Sequence, residues 1–465
     1  MNKTSIILLT YNRLDDTALC IESIRSNTPV GSYEIIVVDN HSTDGTTEWL
    51  QEQTDIRLIQ NQTNRGFPAG CNQGIQIAQG ENDILLLNND TVVMPNWLQN
   101  LQQCLYSRED VGAVGPVTNY CSNGQQIEIN RAKESSLLSF SRKFNYAKPD
   151  YERKIKLVGF CLLVKRAVVK EVGLLDERFF PGNYEDDDYS FRIQRAGYRL
   201  LLSKNTFIYH KGSASFGKDP RAYQTALEAN AKKFEKKWGF NANYSTFVRY
   251  DILALMQLEK KNPFRVLEVG CACGATLLKI KERFPNAEIY GIECNTASAA
   301  IASGFADVKS LDIEQAQLDY DVQSFDYILF ADVLEHLRDP GRVLRKMKPY
   351  LKANGAMIAS IPNIMHYTVV SDLLNGNLPY QDAGILDRTH LRFFTLAEIV
   401  RLFTTCGYTL PVIQSKQLPQ SSQSKELVDR LVSISGKDKR QQFETYQYLL
   451  KACVGPQSQV SEGTP

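Results

Sequence analysis

Four short apolar runs open the chain: SIILLT (5–10), EIIVVD (34–39), DIRLIQ (55–60) and DILLLN (83–88), each followed by polar turn residues. Runs this short and this continuous have the length of strands buried on both faces. Helical patterns lie between them, RLDDTALCIESIRSN after the first run and GCNQGIQIAQ at 70–79. That alternation admits few architectures, and the simplest is α/β with largely parallel strands. A second group, LVGFCLLVK (157–165) and YRLLLS (198–203), leads to a helix over 221–239, with Gly239 as its stop. The alternation then starts again, with RVLEVG (265–270), EIYGIE (288–293), FDYILFAD (325–332) and AMIASIPN (356–363).

Two such series in 465 residues predict two domains. The first is expected over 1–240 and the second over 263–416, with a linker at 241–262 where FNANYSTFVRY loses periodicity. Residues 417–465 are expected to be a polar linker, two short helices (425–434 and 438–452) and a disordered tail from Pro456.

The chain has 53 basic and 52 acidic residues, a net charge of +1, which gives no electrostatic argument for a nucleic-acid partner. Ten cysteines are scattered singly apart from Cys271 and Cys273. With no CxxC pair, neither structural zinc nor a disulfide scaffold is expected, and free thiols point to a reducing cytoplasm. No run of about 18 apolar residues occurs, so no transmembrane helix is expected and any membrane contact is peripheral, at the inner face.

Within the first series, LLLNNDTVV ends a buried strand in Asn88, Asn89 and Asp90. Open α/β sheets bind ligands at that carboxyl edge, and Asp90 could hold a hard divalent cation there. Ordinary turn chemistry is the competing reading. NYEDDDYSFR (183–192) carries four consecutive acids, Glu185 to Asp188. It reads as a helix start, where the macrodipole stabilises acids and Asp188 can pair with Arg192. The alternating ligands and central glycine of a calcium loop are absent.

Six motifs occur in order: TYNR (10–13), VVDNHSTDGT (37–46), NRGFPAGCNQG (64–74), LLLNNDT (85–91), NYEDDDYSFR and IYHKGSASF (208–216). Over residues 1–240 the combination resembles the inverting family-two glycosyltransferases of GT-A fold, most closely the subgroup that includes rhamnosyltransferases. The resemblance implies a nucleotide-sugar donor, thymidine diphosphate-rhamnose first, and a glycan or lipid-linked glycan acceptor. It implies that Thr10, Asn12 and Asp39 contact base and ribose, that Asn64, Arg65 and Gly66 lie near the diphosphate, and that Asn89 belongs to the donor-nucleotide site. Asp90 and His210 would hold Mn2+ or Mg2+, although the family's DxD reads Asn88-Asn89-Asp90 and lacks its first acid. Asp186, second acid of the Glu-Asp pair, would be the general base.

In the second series, RVLEVGCACGATLLKI reads as strand, glycine turn and helix. A dinucleotide site would need G-x-G-x-x-G, which the Gly270–Gly274 spacing does not supply, and Glu268 suits a cationic ligand better than a pyrophosphate. With IYGIE, LDIE, FDYILFADVLEHLRDP and LKANGAMIASIPN, this region resembles the class I S-adenosylmethionine-dependent methyltransferases, a Rossmann-like fold. The resemblance implies S-adenosyl-L-methionine as cofactor, with Glu268, Gly270 and Gly274 near its methionine part. Glu293 would lie on the ribose, Asp312 near adenine and Asp332 beside the transferred methyl. Ala272 stands where glycine is frequent.

If a helix starts at DVLEH, Asp332, Glu335 and His336 share one face and form a workable oxygen/nitrogen metal site, completed by His390 in DRTHLRFFT. The alternative makes His336 structural or a base. His336, His366 and His390 are the candidate bases for methyl transfer. A bifunctional enzyme of surface-polysaccharide synthesis is the resulting expectation. The alternative from a different class makes one of the two domains a non-catalytic binding module.

Overall fold

The computed structural model describes residues 2–121, 123–129, 137–212, 220–256 and 262–455, in two compact units, Met1–Thr246 and Phe247–Pro465. The expected disordered tail and residues 213–216 of the IYHKGSASF motif lie outside the described residues.

The first unit holds β1 (Thr4–Thr10), β2 (Tyr33–Asp39), β3 (Ile56–Gln60), β4 (Asp83–Asn88), β5 (Thr91–Val92), β6 (Val111–Thr118), β7 (Tyr151–Lys154), β8 (Cys161–Val164) and β9 (Arg199–His210). They form one sheet in the order β3-β2-β1-β4-β8-β6-β9-β5, with β7 also on β9. The four apolar runs that open the sequence are its parallel half. In β1, β2 and β4 both faces are buried, as continuous apolar runs require, whereas the edge strand β3 is at most half-buried. Ile6, Leu8, Ile35, Val37, Leu85 and Leu87 pack with Cys20, Ile21 and Ile24 of the helix Leu14–Asn27. The alternate residues Ile7, Ile36, Ile84 and Leu86 pack with Cys71 and Ile75 of the helix Gly66–Ile77 and with Tyr189 and Ile193 of the helix Glu185–Arg195. Strand β8 is antiparallel to β4 and β6, so the sheet is mixed rather than largely parallel.

The second unit holds β10 (Arg265–Val269), β11 (Glu288–Glu293), β12 (Asp307–Ser310), β13 (Phe325–Ala331), β14 (Leu351–Pro362), β15 (Tyr408–Gln417) and β16 (Thr445–Val454). Their order is β12-β11-β10-β13-β14-β16-β15; the first five are parallel, and β16 runs antiparallel between β14 and β15. Two expectations are corrected here. The helix expected over 438–452 is a short helix, Arg440–Glu444, followed by β16, so the sheet continues well past residue 416. Strand β16 buries Tyr448, Leu450 and Ala452 on one face and Leu449 on the other. The stretch expected as linker contains the helix Tyr250–Leu255, whose Ile252, Leu253 and Leu255 join the core of this unit beside Val266 and Leu329.

The fold class is thus α/β in both units.

Candidate active sites

In each sheet several of the sequence-predicted site residues lie at the carboxyl ends of parallel strands, where such sheets bind ligands. In the first unit Thr10 ends β1, Asp39 ends β2, and Asn89 and Asp90 follow β4. Thr10 and Asn89 are both buried and bonded to each other (Oγ1 to Nδ2, 3.3 Å), and each also bonds Thr17 Oγ1, at 2.9 and 3.0 Å. Asp39 accepts from the backbone N of Ser42 (3.1 Å) and from the hydroxyls of Ser42 and Thr47, which fixes the loop after β2. Asn12 accepts from Thr43 N at 2.8 Å, so the two loops are joined. Asn64 accepts from Gly66 N at 2.9 Å, while Asn64 and Arg65 are exposed. Gly66 opens its helix at φ +78°, and a Cβ there would come within 2.7 Å of the Phe180 ring. Asn40, missed in the sequence, is buried; its side chain donates to Gly66 O (3.1 Å) and accepts from Asn61 Nδ2 (2.8 Å).

His210 ends β9, paired with Thr91 of β5, so the ladder brings it beside Asp90. Its Nδ1 lies 2.8 Å from the Tyr120 carbonyl oxygen. A carbonyl only accepts, so Nδ1 carries the proton, and in a neutral ring Nε2 is a bare lone pair. That Nε2 is 3.2 Å from Asp90 Oδ1, and both side chains are largely buried. Two acceptors facing each other call for a cation between or beside them, so this donor set fits a divalent metal. Phe160 stacks on the imidazole at 5.1 Å and holds the ring plane.

The four acids of NYEDDDYSFR fill the first turn of the helix Glu185–Arg195. Asp188 is fully buried and bonded to Arg192 Nε (2.8 Å), Trp238 Nε1 (2.9 Å) and Lys237, so it is a structural anchor. Asp187 pairs with Lys156 at 2.9 Å. Asp186 accepts from Gly159 N (2.8 Å) and Asp187 N (2.9 Å). Burial and the neighbouring Asp187 charge raise its pKa to about 6, against those two donors and Lys156. Glu185 is buried with Oε2 unpartnered, and desolvation together with Asp186 pushes its carboxyl well above the usual range. Lys156 and Gly159 were not singled out in the sequence, where no local pattern links them to residues some 30 positions away.

In the second unit Glu268 precedes the glycine turn that leads into the helix Ala275–Arg283. It is buried with Oε2 unpartnered, and desolvation raises its pKa to about 8, with Arg249 and Thr276 opposing. Gly270 (φ +72°) and Gly274 (φ +76°) leave no room for a Cβ, which would meet Val333 at 2.6 Å and Phe305 at 2.8 Å. Ala272 adopts φ +47°, and its N–H donates to Glu293 Oε2 at 2.8 Å. Glu293, ending β11, also accepts from Asn295 N at 2.8 Å. Asp312 is exposed beyond β12 and caps Glu314 N at 2.8 Å.

Asp332 (φ +57°) is bonded to Arg249 (2.6 Å), Ser360 Oγ (2.6 Å) and Gln447 Nε2 (2.5 Å). All three partners were missed: Arg249 lay in the expected linker, Gln447 in the expected helix, and Ser360 inside an expected strand with no local link to Asp332. Residues 334–336 form one 3-10 turn, not the start of an α-helix. The expected four-residue metal set is therefore corrected: Asp332 is filled by three donors, and the group that converges is Glu335, His336 and His390. Their ligand atoms lie within 4.8 Å of one another, and among the described residues no other group of three or more such side chains does so. The Glu335 carbonyl accepts from Leu391 N (2.8 Å) and Arg392 N (3.0 Å), which ties the segment bearing His390 to this turn. His366 is buried outside that group, with Nδ1 on Thr368 Oγ1 (2.8 Å), Nε2 unpartnered and its pKa lowered by burial to about 4.

The fold defines two α/β units, and family comparison says what each is similar to. Residues 5–173 match the model of glycosyl transferase family 2, and residues 240–411 match a methyltransferase domain model. Two different transferase families are thus matched in succession along the chain. Among similar proteins is the O-antigen biosynthesis protein RfbC of Myxococcus xanthus, 29% identical over 46% of this chain and 18% of that protein. Another is the N-acetylglucosaminyl-diphospho-decaprenol L-rhamnosyltransferase of Mycobacterium tuberculosis, 26% identical over 44% of this chain and 74% of that one. The chain thus spans well under two thirds of the Myxococcus protein, and also of a Sinorhizobium fredii relative, of which it covers 27%. A solved structure of GalNAc-T7 with UDP, GalNAc and Mn2+ is similar at 16% identity and TM-score 0.37, covering 50% of each chain.

Proposed function

We propose that the first unit transfers a sugar from a nucleoside-diphosphate donor to a glycan or lipid-linked glycan with inversion, and that the second methylates a hydroxyl of that glycan from S-adenosyl-L-methionine. The setting is surface-polysaccharide synthesis in the cytoplasm, with peripheral membrane contact where the acceptor is lipid-linked. Thymidine diphosphate-rhamnose is the first donor to test, given the rhamnosyltransferase relative. Among the described residues no helix is long and apolar enough to cross a membrane.

The observation that carries the reading is the apposition of His210 Nε2 and Asp90 Oδ1 at the carboxyl edge of the sheet. Mn2+ or Mg2+ held by this pair would neutralise charge on the departing diphosphate. Thr10, Asn12, Asp39, Asn64, Arg65, Gly66 and Asn89 bind and orient the nucleotide, Arg65 contributing positive charge near the phosphates. Asp186 takes the acceptor's hydroxyl proton as that oxygen bonds to the anomeric carbon and the anomeric C–O bond to the diphosphate breaks.

In the second unit Glu268, Gly270, Gly274, Glu293 and Asp312 hold S-adenosyl-L-methionine, and Asp332 stands beside the acceptor. The cofactor, when bound, would supply the methyl from its sulfonium, and the proton that the acceptor hydroxyl gives up would pass to a base, for which His366 has Nε2 unpartnered. Glu268, buried with Oε2 unpartnered beside the glycine turn, is the acid that a cationic cofactor would pair with.

A screen of nucleotide sugars, read by release of nucleoside diphosphate, and titration with S-adenosyl-L-methionine test the two halves. Turnover of a donor by the wild-type chain but not by Asp186→Asn, and cofactor binding that Glu268→Gln weakens, are expected. Turnover of no donor, or no cofactor binding, would make the corresponding unit a binding or structural module.

A further inference from the structure

We propose that Glu335, His336 and His390 form a divalent transition-metal site in the second unit, and that its open positions take hydroxyl oxygens of the methyl acceptor. The acceptor role rests on the methyltransferase reading; the metal site itself does not.

The argument is one of donors and acceptors. His336 Nδ1 lies 3.2 Å from the Thr389 carbonyl oxygen and 3.1 Å from Thr389 Oγ1. His390 Nδ1 lies 2.9 Å from the Ile385 carbonyl oxygen. Each ring therefore spends its proton on a backbone carbonyl, which leaves Nε2 as the free lone pair. Backbone carbonyls that orient imidazoles in this way are the usual outer partners of metal-binding histidines. The third member, Glu335, is 1% exposed, and neither of its carboxylate oxygens has a hydrogen-bond partner. Buried carboxylates are rarely left so. Two lone pairs and a bare carboxylate converge, and a divalent cation satisfies all three at once.

The two histidine rings stand edge to face at 4.7 Å between centroids, which keeps both rings on the same small volume. The backbone bonds from Leu391 and Arg392 to the Glu335 carbonyl hold the two segments together. A carboxylate with two imidazoles favours Mn2+, Fe2+ or Zn2+ over Mg2+ or Ca2+. Three protein ligands leave coordination positions open, and vicinal hydroxyls of a sugar are oxygen ligands spaced to share one cation. A hydroxyl so held is more acidic than in water. On this assignment His336 and His390 are ligands rather than proton acceptors.

The test uses the full chain carrying Asp90→Asn and His210→Ala, stripped with chelator, so that only this site is read. Titration with Mn2+, followed by water-proton relaxation, is expected to find one site per chain. Adding Glu335→Gln or His336→Gln should weaken it at least about tenfold, with melting and S-adenosyl-L-methionine binding retained. Binding unchanged by both substitutions, or no Mn2+ bound by the folded chain, overturns the proposal. Should either variant misfold, diethyl pyrocarbonate labelling of the same background decides. Mn2+ should then protect His336 and His390 but not the exposed His41, and equal labelling with and without the ion overturns the site. S-adenosyl-L-methionine binding measured on the same samples keeps the two readings apart. Loss of metal with cofactor bound refutes this site alone, and metal bound without cofactor binding refutes the methyltransferase reading alone.

Discussion

Asp186 shows how much one residue's role depends on its neighbours. Four adjacent acids looked alike in sequence, and only Asp188's pairing with Arg192 was legible from spacing. Their environments separate them: Asp188 is neutralised by a cation cluster, Asp187 by Lys156, and Glu185 by nothing it touches through Oε2. Asp186 has a pKa raised to about 6, so its base form is lost as pH falls through 6. Glycosyl transfer is expected to be flat above that pH and to fall about tenfold per unit below it. Asp187→Asn removes the raising charge and frees Lys156, both of which lower the pKa, so the break in the profile should move to lower pH. Asp186→Asn should lower the rate by about 10²–10⁴-fold, and a residual activity with an unchanged profile would assign the base elsewhere. At the same scale, Ala272 sits at φ +47°, where a side chain costs about 1–2 kcal/mol. Ala272→Gly should raise the stability of the second unit by an amount of that order in chemical denaturation, less the entropy glycine adds to the unfolded chain.

At the scale of elements, the parallel strands were legible because burial on both faces writes a continuous apolar run. Of the strands that were missed, β6, VGAVGPVT, is buried throughout but is punctuated by Gly112, Gly115 and Pro116, which read as breakers, and others lack that signature. Strand β7, YERK, is polar throughout; β5 has two residues; and β15 has a pattern broken by exposed positions. Strand β16 was read as helix because LLKACV fits either period, while Thr445, Tyr446 and Tyr448 were the available strand-forming signal. Its position between β14 and β15 makes it central to the sheet, and Gln447 reaches Asp332 from it. Each of Tyr448, Leu449 and Leu450 stabilises by about 1.5–3 kcal/mol on burial, together comparable to the whole stability of a domain. A chain ending at Glu444 should therefore lose the melting transition of the second unit and its cofactor binding, while donor turnover by the first unit persists. Cofactor binding at wild-type strength in that truncated chain would show β16 to be dispensable.

For the whole molecule, the two-domain plan was legible because the strand–helix alternation stops and restarts, but the boundary was not. Residues 250–256 look aperiodic because the helix there is short, and its burial beside Val266 and Leu329 is a tertiary fact that no local pattern encodes. Each unit has its own core, so each chemistry should be separable by single substitutions: Asp186→Asn should cut transfer and leave cofactor binding intact, and Glu268→Gln should weaken cofactor binding and leave transfer intact. Fusion of the two in one chain gains meaning if the product of the first is the substrate of the second. With donor, acceptor and S-adenosyl-L-methionine together, the wild-type chain should yield a glycan extended by one sugar and one methyl group. The Asp186→Asn chain should leave the starting acceptor unmethylated yet methylate a glycan already extended by the wild-type enzyme. Fragment masses would locate the methyl on the added sugar or its immediate neighbour. Methyl transfer by Asp186→Asn to the unextended acceptor, at the rate seen with the extended one, would show that the two activities share a chain without sharing a pathway step.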